Sequence, residues 1–184
     1  MADLKREMCS HSDDTWRGQC VLTNLVLARV QGGIWHTTSR DRFQSIIASG
    51  AILPEPPIDD RERWSTSQGP RSYPYVRRLG GVSLFDFSAF NPETYSERLP
   101  GSSWQEFVPC CSKWKEAVWI EIDAVVLGDG FISGRALLDR WRAESCNQIM
   151  PEIEAAHIGP IPVNAFRSAF AVHENRAELE PILW

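Results

Sequence analysis

Two short segments carry side chains whose type and spacing suit chemistry. The first is Met150-Pro151-Glu152-Ile153-Glu154-Ala155-Ala156-His157. In an extended segment side chains alternate between faces, so this spacing predicts Glu152 and Glu154 on the same side. Two adjoining carboxylates repel, and the pKa of one rises. Such a pair suits proton removal or a developing positive charge. On a solvated strand edge it would be two ordinary acids. The second segment is Gly33-Ile34-Trp35-His36-Thr37-Thr38-Ser39. It predicts a short strand, 34–37, ending on His36 beside a helix start, a common place for ligands. A hydrogen-bonded core histidine is the plain alternative. Trp35, next to His36, is the tryptophan expected to line a site.

A third feature is a basic loop. Between Arg61 and Arg78 there are five arginines (61, 63, 71, 77 and 78) and one acid, Glu62, in a chain whose net charge is −5. Guanidiniums bind phosphate bidentately, so this stretch reads either as a solvated loop or as a cover over a phosphate-bearing substrate. Prolines 54, 56, 57, 70 and 74 exclude long regular elements there. Loops of that length in a compact domain are usually functional or disordered.

The elements that must position these residues follow from periodicity. Thr38 and Asp41 have capping-box spacing, Phe43, Ile46 and Ile47 share one face, and Gly50 suits a left-handed cap, which predicts a helix over 40–49. The stretch 21–30 is apolar with mixed periodicity, compatible with helix or strand. Strands are expected at 81–87 and 117–122, the latter with Val118, Ile120 and Ile122 on one face, and a final strand at 168–173. Turns are expected at Asn91-Pro92 and Pro100-Gly101, a short helical piece at 104–108, and a helix from Ser133 to about Ser145 with Leu137, Leu138 and Trp141 inward. Strands and helices alternate without a βαβ rhythm. That predicts one α+β domain, mainly an antiparallel sheet flanked by helices, over 31–184, with 1–30 as an N-terminal extension.

Composition bounds the classes of function. With 184 residues, 43% hydrophobic and 23% charged, the chain has the make-up of an ordinary soluble domain. A pI near 5.4 advertises neither nucleic-acid nor membrane binding. No run approaches the ~20 apolar residues of a membrane span. The start of the chain does not resemble a secretory signal, so a cytoplasmic location is expected. Five cysteines (9, 20, 110, 111 and 146) are irregularly spaced, which argues against a disulfide framework. Cys9-Ser10-His11 and Cys20 lack the paired spacing of a zinc site, and no metal is expected. Vicinal Cys110-Cys111 are expected to be free thiols. The dinucleotide G-x-G-x-x-G, the phosphate-loop, the G-x-S-x-G and the H-E-x-x-H patterns are all absent.

Taken in order, a strand with His-Thr-Thr, a helix closed by glycine, a basic loop, Gly80-Gly81-Val82-Ser83-Leu84-Phe85-Asp86-Phe87, and a late glutamate followed by Ile161-Pro162 resemble the ADP-ribosyltransferase-like superfamily. Within it, the likeness is to DNA-targeting bacterial toxins and RNA 2′-phosphotransferases, in short patches over residues 33–173. The resemblance implies a split antiparallel β-sheet and NAD as substrate. His36 would contact the nicotinamide side of NAD, with Thr37 and Thr38 helping to hold it. Arg77 or Arg78 would steady the phosphates and the reacting centre, with Arg71 nearby. Tyr73 or Tyr75 would stack on nicotinamide. Glu154 would be the catalytic glutamate and Glu152 its upstream companion, a pairing found in transferases that modify protein side chains. The acceptor stays open between nucleic acid, protein and small molecule, and the toxin likeness leaves room for an antitoxin or immunity partner. The alternatives are an NAD-dependent RNA 2′-phosphotransferase, NAD hydrolysis, and a non-catalytic binding or inhibitory protein on the same fold.

Overall fold

The computed structural model describes residues 21–63, 66, 69–99, 104–108 and 114–184. The expected terminal arm, the Pro100-Gly101 turn and all cysteines except Cys146 lie outside the described residues. The described chain begins with helix α1, residues 21–30. Leu22, Val26 and Val30, four residues apart, are all buried in the main core cluster. This resolves the ambiguity of 21–30, which is a helix. Residues 21–30, expected to belong to an N-terminal extension, supply one stripe of the core.

Strand β1 is Ile34–Ser39, so His36 lies within the strand and not at its end. Helix α2, Arg40–Ser49, follows directly. Its cap is Ser39, whose Oγ accepts from the Arg42 backbone N–H, one residue later than the capping box predicts. Gly50 closes it at φ 81° and donates its N–H to the carbonyls of Ile46 and Ile47. Next come β2 (Ala51–Ile52), the short helix α3 (Tyr75–Arg78) and β3 (Gly81–Asp86). Asn91-Pro92 does more than turn the chain. The Asn91 side chain accepts from the N–H groups of Glu93 and Thr94, and Pro92 takes the first position of helix α4, Pro92–Arg98.

The remaining elements are β4 (Glu116–Ile122), α5 (Ala124–Leu127), β5 (Phe131–Ile132), α6 (Gly134–Glu144), β6 (Glu154–Ile158), β7 (Ile161–Pro162), β8 (Phe166–His173) and β9 (Leu179–Pro181). Ser133 caps α6 and the helix runs to Ser145, as its sequence predicts; Ser145 itself takes the left-handed region. The strand at 168–173 is not the last, because β9 adds to its edge.

Among the described residues, seven strands form one antiparallel sheet in the order β5-β6-β3-β1-β4-β8-β9, and β2 pairs with β7 apart from it. The fold is α+β. Both faces of the sheet are covered. Trp35, Phe85, Trp119 and Phe170 point into an aromatic cluster with α1. Ile34, Leu84, Ile120 and Ala155 point the other way, toward Phe43 of α2. Val118, Ile120 and Ile122 share this second face, as their alternation predicts. Among the described residues no helix is long and apolar enough to cross a membrane.

The sheet is parted near its middle. Paired residues between β1 and β3 are only Ile34 with Asp86 and Trp35 with Phe85. Beyond them β1 stays with β4 as far as Ser39, and β3 stays with β6 back to Gly81. A parting of this kind leaves backbone groups along both inner edges without ladder partners, open to hydrogen bonds from side chains, water or a ligand.

Candidate functional site at the parting of the sheet

His36 sits where β1 leaves β3. Its Nδ1 lies 3.1 Å from the Ser83 carbonyl oxygen. A carbonyl only accepts, so the ring carries its proton on Nδ1 and leaves Nε2 as an acceptor. Burial pushes the His36 pKa below its ordinary value, which favours the neutral ring at pH 7.

Glu154 opens β6 and is paired with Phe85. The residue is buried, 9% exposed. Oε1 accepts from the Ser83 hydroxyl at 2.9 Å and Oε2 from the Met150 N–H at 2.9 Å. Desolvation raises its pKa from 4.5 to about 6, against the opposing pull of those two hydrogen bonds. Strand alternation sends the Glu154 side chain out on the Phe85 side and His36 on the Ile120 side. The two meet at one residue. Ser83 holds His36 with its backbone carbonyl and Glu154 with its hydroxyl.

The structure does not bring the two glutamates together. Glu152 lies in a turn at φ 64°, not in an extended segment, and its carboxylate pairs with Arg98. The reason is local packing. A Cβ on Gly134, at the start of α6, would lie 2.2 Å from the Glu152 carbonyl oxygen, so the turn and the helix are in backbone contact. Asp86 adds to this junction by accepting from the Gly134 N–H at 2.9 Å.

Thr37 follows His36 and faces Trp119 across β1 and β4. The Thr37 Oγ1 and Trp119 Nε1 are both buried without a hydrogen-bond partner among the described residues. Thr38 is buried on the opposite side with Val118. Trp35 is a core residue, 1% exposed, with its Nε1 donating to the Val30 carbonyl at 2.8 Å. It lines no opening.

The arginines and tyrosines gather elsewhere. Arg77 is bound by Glu55 at 2.8 Å and Asp60 at 3.0 Å, and Arg63 holds the same Glu55 at 2.5 Å. Tyr73 donates to Asp60 at 2.6 Å, and the Arg77 guanidinium stands 4.2 Å from its ring centre. Tyr73 and Arg77 together hold Asp60 below the usual carboxylate range. Tyr75 is fully buried, and its hydroxyl donates to Glu144 at 2.8 Å, so it is not placed to stack on a ligand. Arg78 reaches Cys146 Sγ at 3.0 Å and Glu144 at 3.5 Å. Two open clefts of about 710 Å³ each lie beside this region. Arg71, Arg77, Arg78 and Tyr73 line one, and Arg40, Arg42, Arg61 and Trp114 line the other. Neither is lined by His36 or Glu154.

Ser83, the residue that joins the site, is not among the residues expected there. The signal for it is present: in the strand Gly81-Val82-Ser83-Leu84-Phe85 the serine is the one polar side chain, on the same face as Phe85. No three His, Cys, Asp or Glu side chains among the described residues gather as a cation site. No family model matches the chain, and no curated protein matches it.

Proposed function

We propose that the protein is an NAD-dependent ADP-ribosyltransferase whose reacting centre lies at Glu154, Ser83 and His36. The observation that carries this reading is the buried Glu154 carboxyl at the parted sheet, with its pKa near 6 and its two oxygens fixed by Ser83 and Met150. A split antiparallel sheet is the architecture that the resemblance implies, and the separation of β1 from β3 beyond Trp35 supports it.

The chemistry needs a carboxylate that is ionised yet poorly solvated. The bond between nicotinamide and ribose breaks with its electron pair leaving on nicotinamide, and positive charge develops at the ribose carbon. Glu154, ionised above pH 6, stabilises that charge in a low-dielectric setting. The acceptor then bonds to the ribose carbon, and its proton passes to the same carboxylate. Neutral His36 offers Nε2 as an acceptor for the nicotinamide amide or ribose hydroxyls, while the buried Thr37 hydroxyl lies on the other face of the strand, with Trp119.

Arg77 is not proposed for the phosphates, since Glu55 and Asp60 already bind it. Arg78 and Arg71 keep exposed guanidiniums. A non-catalytic binding protein on the same fold is the second reading. It is favoured by the fact that the two clefts are lined by neither His36 nor Glu154.

The deciding experiment incubates the purified protein with NAD, with and without cell extract, and follows free nicotinamide. Release that Glu154→Gln abolishes supports the transferase. No release under any condition, with no thermal stabilisation by NAD, sinks it in favour of the binding protein. Product analysis separates transfer to an acceptor from hydrolysis and from RNA 2′-phosphate removal.

A further inference from the structure

The turn that delivers Glu154 to the site is held by more than its own sequence. Residues 150–154 close on themselves. The Glu154 N–H donates to the Met150 carbonyl at 2.9 Å, and the Met150 N–H donates to Glu154 Oε2 at 2.9 Å. At the apex Glu152 takes φ 64°, a left-handed backbone that a residue with a Cβ keeps only where its surroundings hold it there. The path of this turn decides whether a backbone N–H points at the carboxylate.

Three elements grip the turn. From β3, the Asp86 N–H donates to the Ile153 carbonyl at 2.7 Å. From α6, Gly134 lies against the Glu152 carbonyl. From α4 come two side chains three residues apart on one face, Tyr95 and Arg98. Arg98 pairs with the Glu152 carboxylate, but the two side chains are 60% and 27% exposed, and such surface pairs hold little. Tyr95 is different. It is 5% exposed, its ring centre stands 5.0 Å from that of Phe90, and its hydroxyl donates to the Pro151 carbonyl at 3.1 Å. The same carbonyl accepts from the Ile153 N–H at 2.8 Å, which closes the apex. A ring keyed into a packed core puts its hydroxyl in one place.

We propose that Tyr95 is a positioning residue for Glu154: its hydroxyl holds the Pro151 carbonyl, and the turn so fixed aims the Met150 N–H at the carboxylate. The inference rests on the reading of Glu154 as the reacting carboxylate. A hydrogen bond donated to a carboxylate favours its ionised form, so Met150 lowers the pKa that burial raises, and the Ser83 hydroxyl acts in the same direction. The charged side chains that meet at the turn, Glu152 and Arg98, are engaged with each other.

The test follows the Glu154 carboxyl carbon by NMR from about pH 3 to 9 in wild type, Y95F and E152Q, together with amide hydrogen exchange at Met150. Phenylalanine keeps the ring and deletes the hydroxyl. Full loss of a hydrogen bond to a charged group corresponds to about 1–2 in pKa. Y95F loosens the Met150 contact, so the Glu154 pKa is expected to rise above about 6 by about 0.5 or more. Met150 exchange is expected to quicken about tenfold or more beyond any change at Ile120, inside β4. E152Q is expected to leave both unchanged. A Y95F protein whose Glu154 pKa stays at the wild-type value overturns the proposal, however much stability it loses, and makes Tyr95 a packing residue. An equal rise in E152Q overturns it as well. So does a wild-type Met150 amide that exchanges as fast as one in an open loop, a result that needs no variant. Neither readout uses NAD, so a protein that releases no nicotinamide still passes or fails them. Where nicotinamide is released, the acid limb of the Y95F profile is expected to move to higher pH.

Discussion

Replacing Glu154 by glutamine should make the protein more stable as it removes activity. The fold raises the Glu154 pKa from 4.5 to about 6 because the carboxylate is desolvated. The folded state therefore holds the proton more tightly than the unfolded state. Stability conferred by the neutral form is present in full below about pH 4.5 and is lost as pH rises through about 6. At about 1.36 kcal/mol per pH unit, the ionised carboxylate costs the fold about 2 kcal/mol at neutral pH. Glutamine carries no charge and keeps both contacts. Its carbonyl accepts from the Met150 N–H, and its amide donates to the Ser83 oxygen, which turns from donor to acceptor. Thermal or urea unfolding of wild type and E154Q should differ little at pH 4. The variant should be about 2 kcal/mol more stable at pH 8, or roughly 4–8 °C higher in Tm for a chain of this size. A difference that does not change with pH, or a variant less stable at pH 8, would refute the assignment of a desolvated carboxylate. Stability withheld at a working residue is the usual mark of a functional site.

Three further outcomes follow from the same geometry. Ser83→Ala removes a hydrogen bond that lowers the Glu154 pKa, so the acid limb of the activity profile should move to higher pH; a change in rate without that shift would make Ser83 merely structural. Gly134→Ala places a Cβ against the Glu152 carbonyl and should cost about 1–3 kcal/mol in urea unfolding, and an unperturbed midpoint would contradict the packing of α6 on the turn. Tyr75→Phe should lose about 1 kcal/mol of stability with its Glu144 hydrogen bond and leave the KM for NAD unchanged, whereas a raised KM would restore Tyr75 to the ligand site.

The parts of the fold legible in the sequence are those with local causes. Helix 40–49 is readable because Phe43, Ile46 and Ile47 share a face and Gly50 takes φ 81°. The strand at 117–122 is readable because Val118, Ile120 and Ile122 alternate onto one buried side. Glu152 and Glu154 mislead because a turn, imposed by close contact with Gly134 far along no local pattern, replaces the extended run. The mixed periodicity of 21–30 hides a helix whose stripe is defined only by the core that it meets. At the site, His36 and Glu154 stand out by residue type, but the link between them does not. It depends on the parting of β1 from β3, a property of strand pairing and not of either segment. Only the resemblance gives Arg77 and Tyr73 ligand-binding roles, and the carboxylates that bind them, Glu55 and Asp60, belong to the proline-rich loop, whose path has no periodicity to follow.

The most direct test of the central claim is nicotinamide release from NAD by wild type, Glu154→Gln and Glu152→Gln, measured side by side from pH 5 to 8. The expected result is release by wild type that rises through about pH 6, near-complete loss in E154Q, and wild-type-like release in E152Q, whose carboxylate pairs with Arg98 away from the site. Loss in E152Q with activity retained in E154Q would contradict the assignment of Glu154, and no release by wild type across the range would contradict the transferase itself.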